Sequence, residues 1–92
     1  MSRRGVFRFR LYVAGNTRNS ELAIFNLKAL CGAYLAGAHE IEIVDIVRDP
    51  DRALSDGIFM TPTLVKLSPP PGRRIVGTLS QSQPVLQALG LA

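Results

Sequence analysis

The stretch from Met60 to Ser80 constrains the fold of this chain more than any other segment. It reads MTPTLVKLSPPPGRRIVGTLS, with two short β-type runs, Thr63 to Leu67 and Arg73 to Gly77. The residues between them, Ser68 to Gly72, include three prolines and a glycine, which is typical of a turn. Pro62 precedes the first run, a position where the missing amide hydrogen of proline is tolerated. The stretch therefore predicts an antiparallel pair of strands that leads into a helix.

An alternating pattern predicts the first strand of the chain. From Val6 to Val13 the apolar residues recur at every second position, and one face carries Phe7, Phe9, Leu11 and Val13. Arg8 and Arg10 share the opposite face with Tyr12. Because helices should cover both faces of such a sheet, we expect the two guanidinium groups to extend past the sheet edge or to contact another subunit.

A long helix is predicted after the turn from Ala14 to Ser20, with Thr17 or Asn19 as its N-cap. Its apolar residues recur at helical spacing and form a stripe that should face the core: Ala23, Ile24, Leu27, Leu30, Cys31 and Tyr34. Gly37 is well placed to end the helix. Phe25 lies on the opposite side among alanines, which makes it a candidate interface residue.

The remaining elements complete a thioredoxin-like order. Glu40 to Val47 predicts a second strand, parallel to the first, and Asp51 to Gly57 leaves room for a short helix. A C-terminal helix should begin near Ser82, with Ser80 and Gln83 as a candidate capping box. We therefore predict a single α/β domain over residues 1–92, with the thioredoxin-like βαβ-ββα arrangement and helices on both faces of the sheet.

Composition and charge narrow the class of partner. The 92 residues are 47% apolar and 20% charged, as in ordinary globular domains. No apolar run approaches the roughly 20 residues of a membrane span, and no secretion signal is evident, so we expect a cytoplasmic protein without a membrane partner. The net charge is +4, but the basic residues are scattered and no aromatic residues interleave with them, which argues against nucleic acid. A positive surface that binds an acidic protein explains the net charge better than binding to nucleic acid does.

The sequence contains no recognisable catalytic or metal-binding constellation. The junction from Gly15 to Arg18 has no cysteine where a redox thioredoxin carries its nucleophile, and the single cysteine, Cys31, belongs to the buried stripe. His39 is the only histidine and has no second ligand nearby in sequence. No phosphate-binding loop is present. Four aspartates of the middle segment could form a carboxylate cluster, but two of them, Asp49 and Asp51, fit helix starts; the four are Asp45, Asp49, Asp51 and Asp56. We therefore expect a binding module without catalytic activity, cofactor or metal.

Three motifs together carry a family resemblance. L-Y-V-A-G-N-T at residues 11–17, T-P-T-L at residues 61–64 and P-P-x-R-R-I-V-G-x-L-S at residues 70–80 resemble the KaiB family of circadian clock proteins over nearly the whole chain. The resemblance implies a non-catalytic regulator that binds a KaiC-like ring ATPase and modulates its phosphorylation or output state, with a histidine kinase as a further partner. It also implies a change of fold, from a resting homo-oligomer (tetramer or dimer) to a binding-competent thioredoxin-like monomer.

The resemblance also assigns roles to individual residues. For partner binding it implies Lys66, Arg73 and Arg74. Phe25, from its place on the outer side of the helix, and Arg18 are added to these as partner-binding candidates. The candidates for structural or switching roles are Pro62, Pro69, Pro70, Pro71, Ala88 and Gly90. Ala88 replaces a glycine usual in the family and should favour helix, while Gly90 is placed to end that helix. Two departures bear on partner contacts, since Arg18 replaces the usual proline and Thr78 replaces an aspartate.

Two alternatives remain open from the sequence. Pro62, with Ser80 or Ser82, stands where thioredoxin-like proteins bind glutathione, which would make the chain a glutathione-binding domain. A transferase would need a second helical domain that these residues do not supply. The other alternative is a free-standing sensor domain related to those of clock histidine kinases.

Overall fold

The elements of the structure follow the predicted order. The computed structural model describes residues 5–91. Its strands are β1 (Phe7–Val13), β2 (His39–Asp45), β3 (Thr63–Ser68) and β4 (Arg73–Val76). Its helices are α1 (Arg18–Tyr34), α2 (Pro50–Ser55) and α3 (Ser82–Leu89).

The four strands form one sheet with the order β2-β1-β3-β4. β1 runs parallel to β2 and antiparallel to β3, and β3 runs antiparallel to β4. The predicted parallel half and antiparallel half are thus both confirmed. β2 and β4 are the edge strands, and each therefore has one row of backbone groups without a strand partner in the sheet.

Each face of the sheet has its own apolar core. On one face α1 and α3 pack against β1 and β3, and the residues at the centre are fully buried: Leu11, Ala23, Leu27, Cys31 and Leu64. On the other face α2 and the segment after it cover the sheet through Tyr12, Val44, Ala53 and Ile58. Tyr34, which was expected in the core, is 54% exposed, because α1 ends there and Leu35 takes the buried position instead.

The arginines of β1 are paired within the sheet. The register places Arg8 opposite Glu40 and Arg10 opposite Glu42. Arg8 lies 3.4 Å from Glu40, and the Arg10 Nε donates to Glu42 at 2.8 Å. The expectation that both arginines extend past the sheet edge or contact another subunit is therefore wrong for this structure, since the parallel register supplies a carboxylate opposite each.

These pairs extend into a network that attaches α2 to the sheet. Arg52 of α2 donates to the second carboxylate oxygen of Glu42 at 2.7 Å. Arg10 also reaches Asp56 at 3.4 Å, and the Tyr12 hydroxyl donates to the same carboxylate. The hydrogen bonds from Arg52 and then Arg10 lower the pKa of Glu42 to about 2. The network therefore links β1, β2 and α2.

Local hydrogen bonds define the turn between β1 and α1. Thr17 is the N-cap of α1 and accepts from the Ser20 amide at 3.2 Å. Gly15 has a positive φ of 62°, and its amide donates to Asp45 at 3.0 Å. Asp45 also accepts from the Val47 amide at 3.0 Å. The hydrogen bonds from Gly15 and then Val47 lower the pKa of this carboxyl. β2 ends at Asp45, two residues before the predicted end.

The C-terminal helix differs from expectation at its first turn only. The N-cap is Gln81, without a side-chain capping bond, so the capping box predicted from Ser80 and Gln83 does not form. At the other end Gly90 adopts φ 77°, the left-handed conformation that suits glycine after a helix. Before β3 and in the turn after it, three proline peptide bonds are cis: Thr61–Pro62, Ser68–Pro69 and Pro70–Pro71.

Replacement of Glu42 by Gln tests the network. We expect Glu42→Gln to lower the free energy of unfolding at pH 7 by about 1 kcal/mol, a modest value because the side chain is 46% exposed. A carboxyl with a depressed folded pKa stabilises above its ordinary value of 4.5 and loses this contribution as the pH falls toward 2. The difference between wild type and variant in urea unfolding should shrink over that range.

Glu40→Gln is the matched control, because Glu40 makes one longer contact and is 64% exposed. Its effect should stay below about 0.5 kcal/mol. Equal effects of the two substitutions would contradict the network.

Candidate partner-binding surface

Arg73 and Arg74 are neighbours on β4 but have different roles. The Arg74 guanidinium donates to the backbone carbonyls of Asp56 at 2.5 Å and Gly57 at 3.1 Å, just after α2. These carbonyls belong to the C-cap of α2 and to the residue after it, and each gains a charged hydrogen-bond donor from Arg74. Arg73 is exposed, and its guanidinium donates to the adjacent Gly72 carbonyl at 2.9 Å. Arg74 therefore positions the segment after α2, and Arg73 is available to a partner.

Lys66 is an interior residue in this fold. Its side chain is 5% exposed, and its ammonium donates to the Leu89 carbonyl at 3.3 Å. The ammonium also lies 5.1 Å from the centre of the Phe7 ring, within the range of a cation–π contact. Lys66 thus connects β3 to the C-terminal end of α3. The expectation of a surface contact fails here because α3 covers the residue.

The structure does not group the two α1 candidates with β4. Arg18 is the first residue of α1 and is exposed. Phe25 is 70% exposed on the outer side of the same helix. Neither residue lines the clefts beside β4, so the structure offers at least two separate exposed surfaces.

An exposed apolar cluster, which the sequence analysis did not single out, lies beside β4. Phe59, Met60 and Val76 are 87%, 56% and 56% exposed, and together with Ile58, Thr63 and Arg74 they line a cleft of about 160 Å³. We call this the α2-side cleft. The sequence signal was an apolar run, Ile58 to Met60, placed outside any strand or helix and directly before Thr61-Pro62.

A second cleft lies at the same edge, toward α3. It has a volume of about 320 Å³ and is lined by Ile75, Val76, Thr78, Leu79, Ser80, Gln81, Pro84 and Val85. We call this the α3-side cleft. The Ser80 hydroxyl is already paired with that of Thr78 at 2.6 Å, and Asn26 donates to the Thr78 carbonyl at 2.9 Å. Met60, two residues before Pro62, lines the α2-side cleft, whereas Ser80 lines the α3-side cleft.

Cys31 and His39, the side chains considered for redox chemistry and metal binding, are engaged within the fold. Cys31 is fully buried, and burial raises the pKa of its thiol to about 11, which removes thiolate reactivity near neutral pH. The His39 ring donates to the Leu35 carbonyl at 2.8 Å. Among residues 5–91 no cluster of three histidine, cysteine or acidic side chains is placed to hold a metal ion.

Comparison with known proteins decides the family. Residues 10–91 match the model of the KaiB domain. The chain belongs to the KaiB family. A circadian clock oscillator protein KaiB of Prochlorococcus marinus is 42% identical over 91 residues, which cover 99% of this chain and 78% of the relative. A KaiB of Synechococcus sp. is also 42% identical over 91 residues, with 99% and 83% covered. These relatives are named for a clock oscillator and not for a catalytic activity.

Solved structures agree with this KaiB-family chain in fold. The N-terminal domain of SasA from Synechococcus elongatus superposes with a TM-score of 0.76 at 18% identity, covering 100% of this chain and 90% of that domain. Chloroplastic thioredoxin z gives 0.77 at 19% identity, covering 96% and 80%. The predicted thioredoxin-like fold is thus confirmed. No helix among residues 5–91 has the length and apolar character needed to cross a membrane.

The two β4 arginines should respond differently to truncation. Arg74→Ala leaves the Asp56 and Gly57 carbonyls without their donor, and we expect a loss of about 1 kcal/mol in unfolding free energy. The amides of Gly57 and Ile58, which bond back to Leu54 and Ala53, should exchange faster with deuterium. Arg73→Ala is the control and should change neither quantity. Unchanged exchange in Arg74→Ala would refute the positioning role of Arg74.

Proposed function

We propose that this KaiB-family chain is a non-catalytic regulator that binds a KaiC-like ring ATPase in the cytoplasm and modulates its phosphorylation or output state. The family match over residues 10–91 supports the proposal. The single structural observation that carries it is the exposed cluster of Phe59, Met60 and Val76 next to β4, the strand that also carries Arg73. An aromatic and apolar centre with a charged rim is the usual composition of a protein-binding surface.

The apolar and the charged residues of this surface are proposed to contribute to different aspects of binding, affinity and association rate. Phe59 is 87% exposed, so its burial by a partner would supply hydrophobic free energy. Arg73 would accelerate encounter with an acidic ring, since exposed charges act mainly on the association rate and are screened by salt. A histidine kinase that responds to the same ATPase is a second proposed partner.

We further propose that the binding-competent form is the fold described above, in equilibrium with a resting homo-oligomer, tetramer or dimer, whose C-terminal half is folded differently. In the present fold Ala88 is helical and Gly90 ends the helix. If the competent form is only partly populated, the apparent affinity falls in proportion to its population. The prolines Pro62 and Pro69 to Pro71 flank β3 and have structural roles in this proposal.

Complex formation is the first test of the proposal. The full chain, mixed with the ATP-loaded KaiC homologue of the same organism for a day, should co-elute with the ring in size-exclusion chromatography. Arg73→Glu should slow association about tenfold at low salt and less at high salt.

Lys28→Glu is the matched control, because Lys28 is an exposed cation on α1, away from β4. It should leave the association rate nearly unchanged. The absence of a wild-type complex would refute the proposed function, whereas equal effects of the two reversals would refute the role of Arg73.

The proposed fold equilibrium predicts a specific effect of Ala88. Ala88→Gly should weaken α3 by about 1 kcal/mol and shift the ratio of monomer to oligomer about fivefold toward the oligomer. Ala33→Gly carries a similar helix penalty in α1, which the two proposed folds share, and should shift nothing. Gel filtration with light scattering measures both ratios. An unchanged oligomer distribution in Ala88→Gly would contradict the proposed equilibrium.

A further inference from the structure

The hydrogen-bond pattern of β4 identifies which of its backbone groups are free. The register pairs Leu64 with Ile75 and Thr63 with Val76, and the Gly77 amide donates to the Pro62 carbonyl at 2.9 Å. Bonded and non-bonded pairs alternate in an antiparallel ladder. Ile75 therefore bonds to β3, as does Arg73. The amides and carbonyls of Arg74 and Val76 point away from the sheet.

The outer edge of β4 lies between the two clefts. The Arg74 and Val76 side chains border the α2-side cleft, and Ile75 and Val76 border the α3-side cleft. Successive side chains of a β-strand point to opposite faces. A strand added to this edge would therefore direct its side chains alternately into the two clefts, while its backbone meets the free groups of Arg74 and Val76.

We propose that an extended segment of the ring ATPase adds to β4 as a fifth strand of the sheet. This inference rests on the proposed function and specifies its binding mode. Strand addition supplies affinity through backbone hydrogen bonds and specificity through pockets for alternate side chains. The segment carries an apolar side chain for the α2-side cleft, where Phe59 and Met60 provide the exposed contact surface.

The charges at this edge define the rest of the segment. The residues that line the two clefts include no aspartate or glutamate, and the edge carries Arg73 and Arg74. An acidic side chain on the added strand would meet Arg73, the one of the two whose guanidinium is free of the α2 carbonyls. A second copy of this chain fits less well, because β4 against β4 would bring four arginines into one short ladder.

The apolar cluster argues against a purely protective edge. Short edge strands often carry charges that prevent aggregation, and Arg73 and Arg74 satisfy that need. Exposed apolar side chains do not prevent aggregation, and here Phe59 is 87% exposed and Met60 and Val76 are 56% exposed each. Exposed apolar surface beside free backbone groups is a liability unless a partner covers it.

A proline at position 76 tests strand addition directly. Val76→Pro removes an outward amide, a position where proline is tolerated in edge strands, and places its ring against an added strand. We expect the chain to keep its circular dichroism spectrum and to bind the ATP-loaded KaiC homologue at least about tenfold more weakly. Val76→Ala trims the same side chain but keeps the amide, and should weaken binding only about threefold.

Deuterium exchange of the wild-type chain supplies a readout that does not depend on any variant. The amides of Arg74 and Val76 should exchange quickly in the free chain and slowly in the complex, whereas those of Arg73 and Ile75 should be slow in both. Wild-type binding without slowed exchange at Arg74 and Val76, or equal affinities of the two Val76 variants, would overturn this inference and leave the proposed function intact.

Two further outcomes are distinguishable from these. If the wild-type chain forms no complex, the proposed function fails and this inference falls with it. If Arg74 and Val76 become protected in the free chain as its concentration rises, the occupant of the edge is a second copy and not the ATPase.

Discussion

The parallel register between β1 and β2 brings together the charged side chains that attach α2 to the sheet. It places Arg10 opposite Glu42, and Glu42 in turn binds Arg52 of α2. α2 is thereby held on its face of the sheet, and the carbonyls at its end accept from Arg74 of β4. A series of ion pairs and hydrogen bonds therefore connects the central strand β1 to the edge strand β4.

Local features of the fold were predictable because they are determined by neighbouring residues. Alternation in β1, the helical stripe of α1, the Thr17 cap and the end of α3 at Gly90 each depend on a few adjacent positions. The order of these elements was enough to predict the thioredoxin-like arrangement, and the comparisons confirm it. The three motifs predicted the family, which the KaiB domain match confirms.

Features that depend on tertiary placement were not predictable from the same patterns. The ion pairs of Arg8 and Arg10 require the strand register, which the sequence does not specify locally. Lys66 is inside because α3 folds over β3, although a lysine usually remains exposed. The exposed Phe59 belongs to a segment without secondary structure, where periodicity gives no information. For this reason the sequence analysis named Arg73 as a candidate at this edge but did not single out the exposed Phe59 and Met60 beside it.

In the proposed function this chain acts by binding, through the β4 edge and the apolar cluster beside it. Cross-saturation NMR of the deuterated chain, bound to an unlabelled ATP-loaded KaiC homologue, would locate the contact surface residue by residue. We expect signal loss at Arg73 to Val76 and at Phe59 and Met60, with the amides of β2 unaffected. Signal loss confined to β2, or to α1 around Phe25, would contradict it.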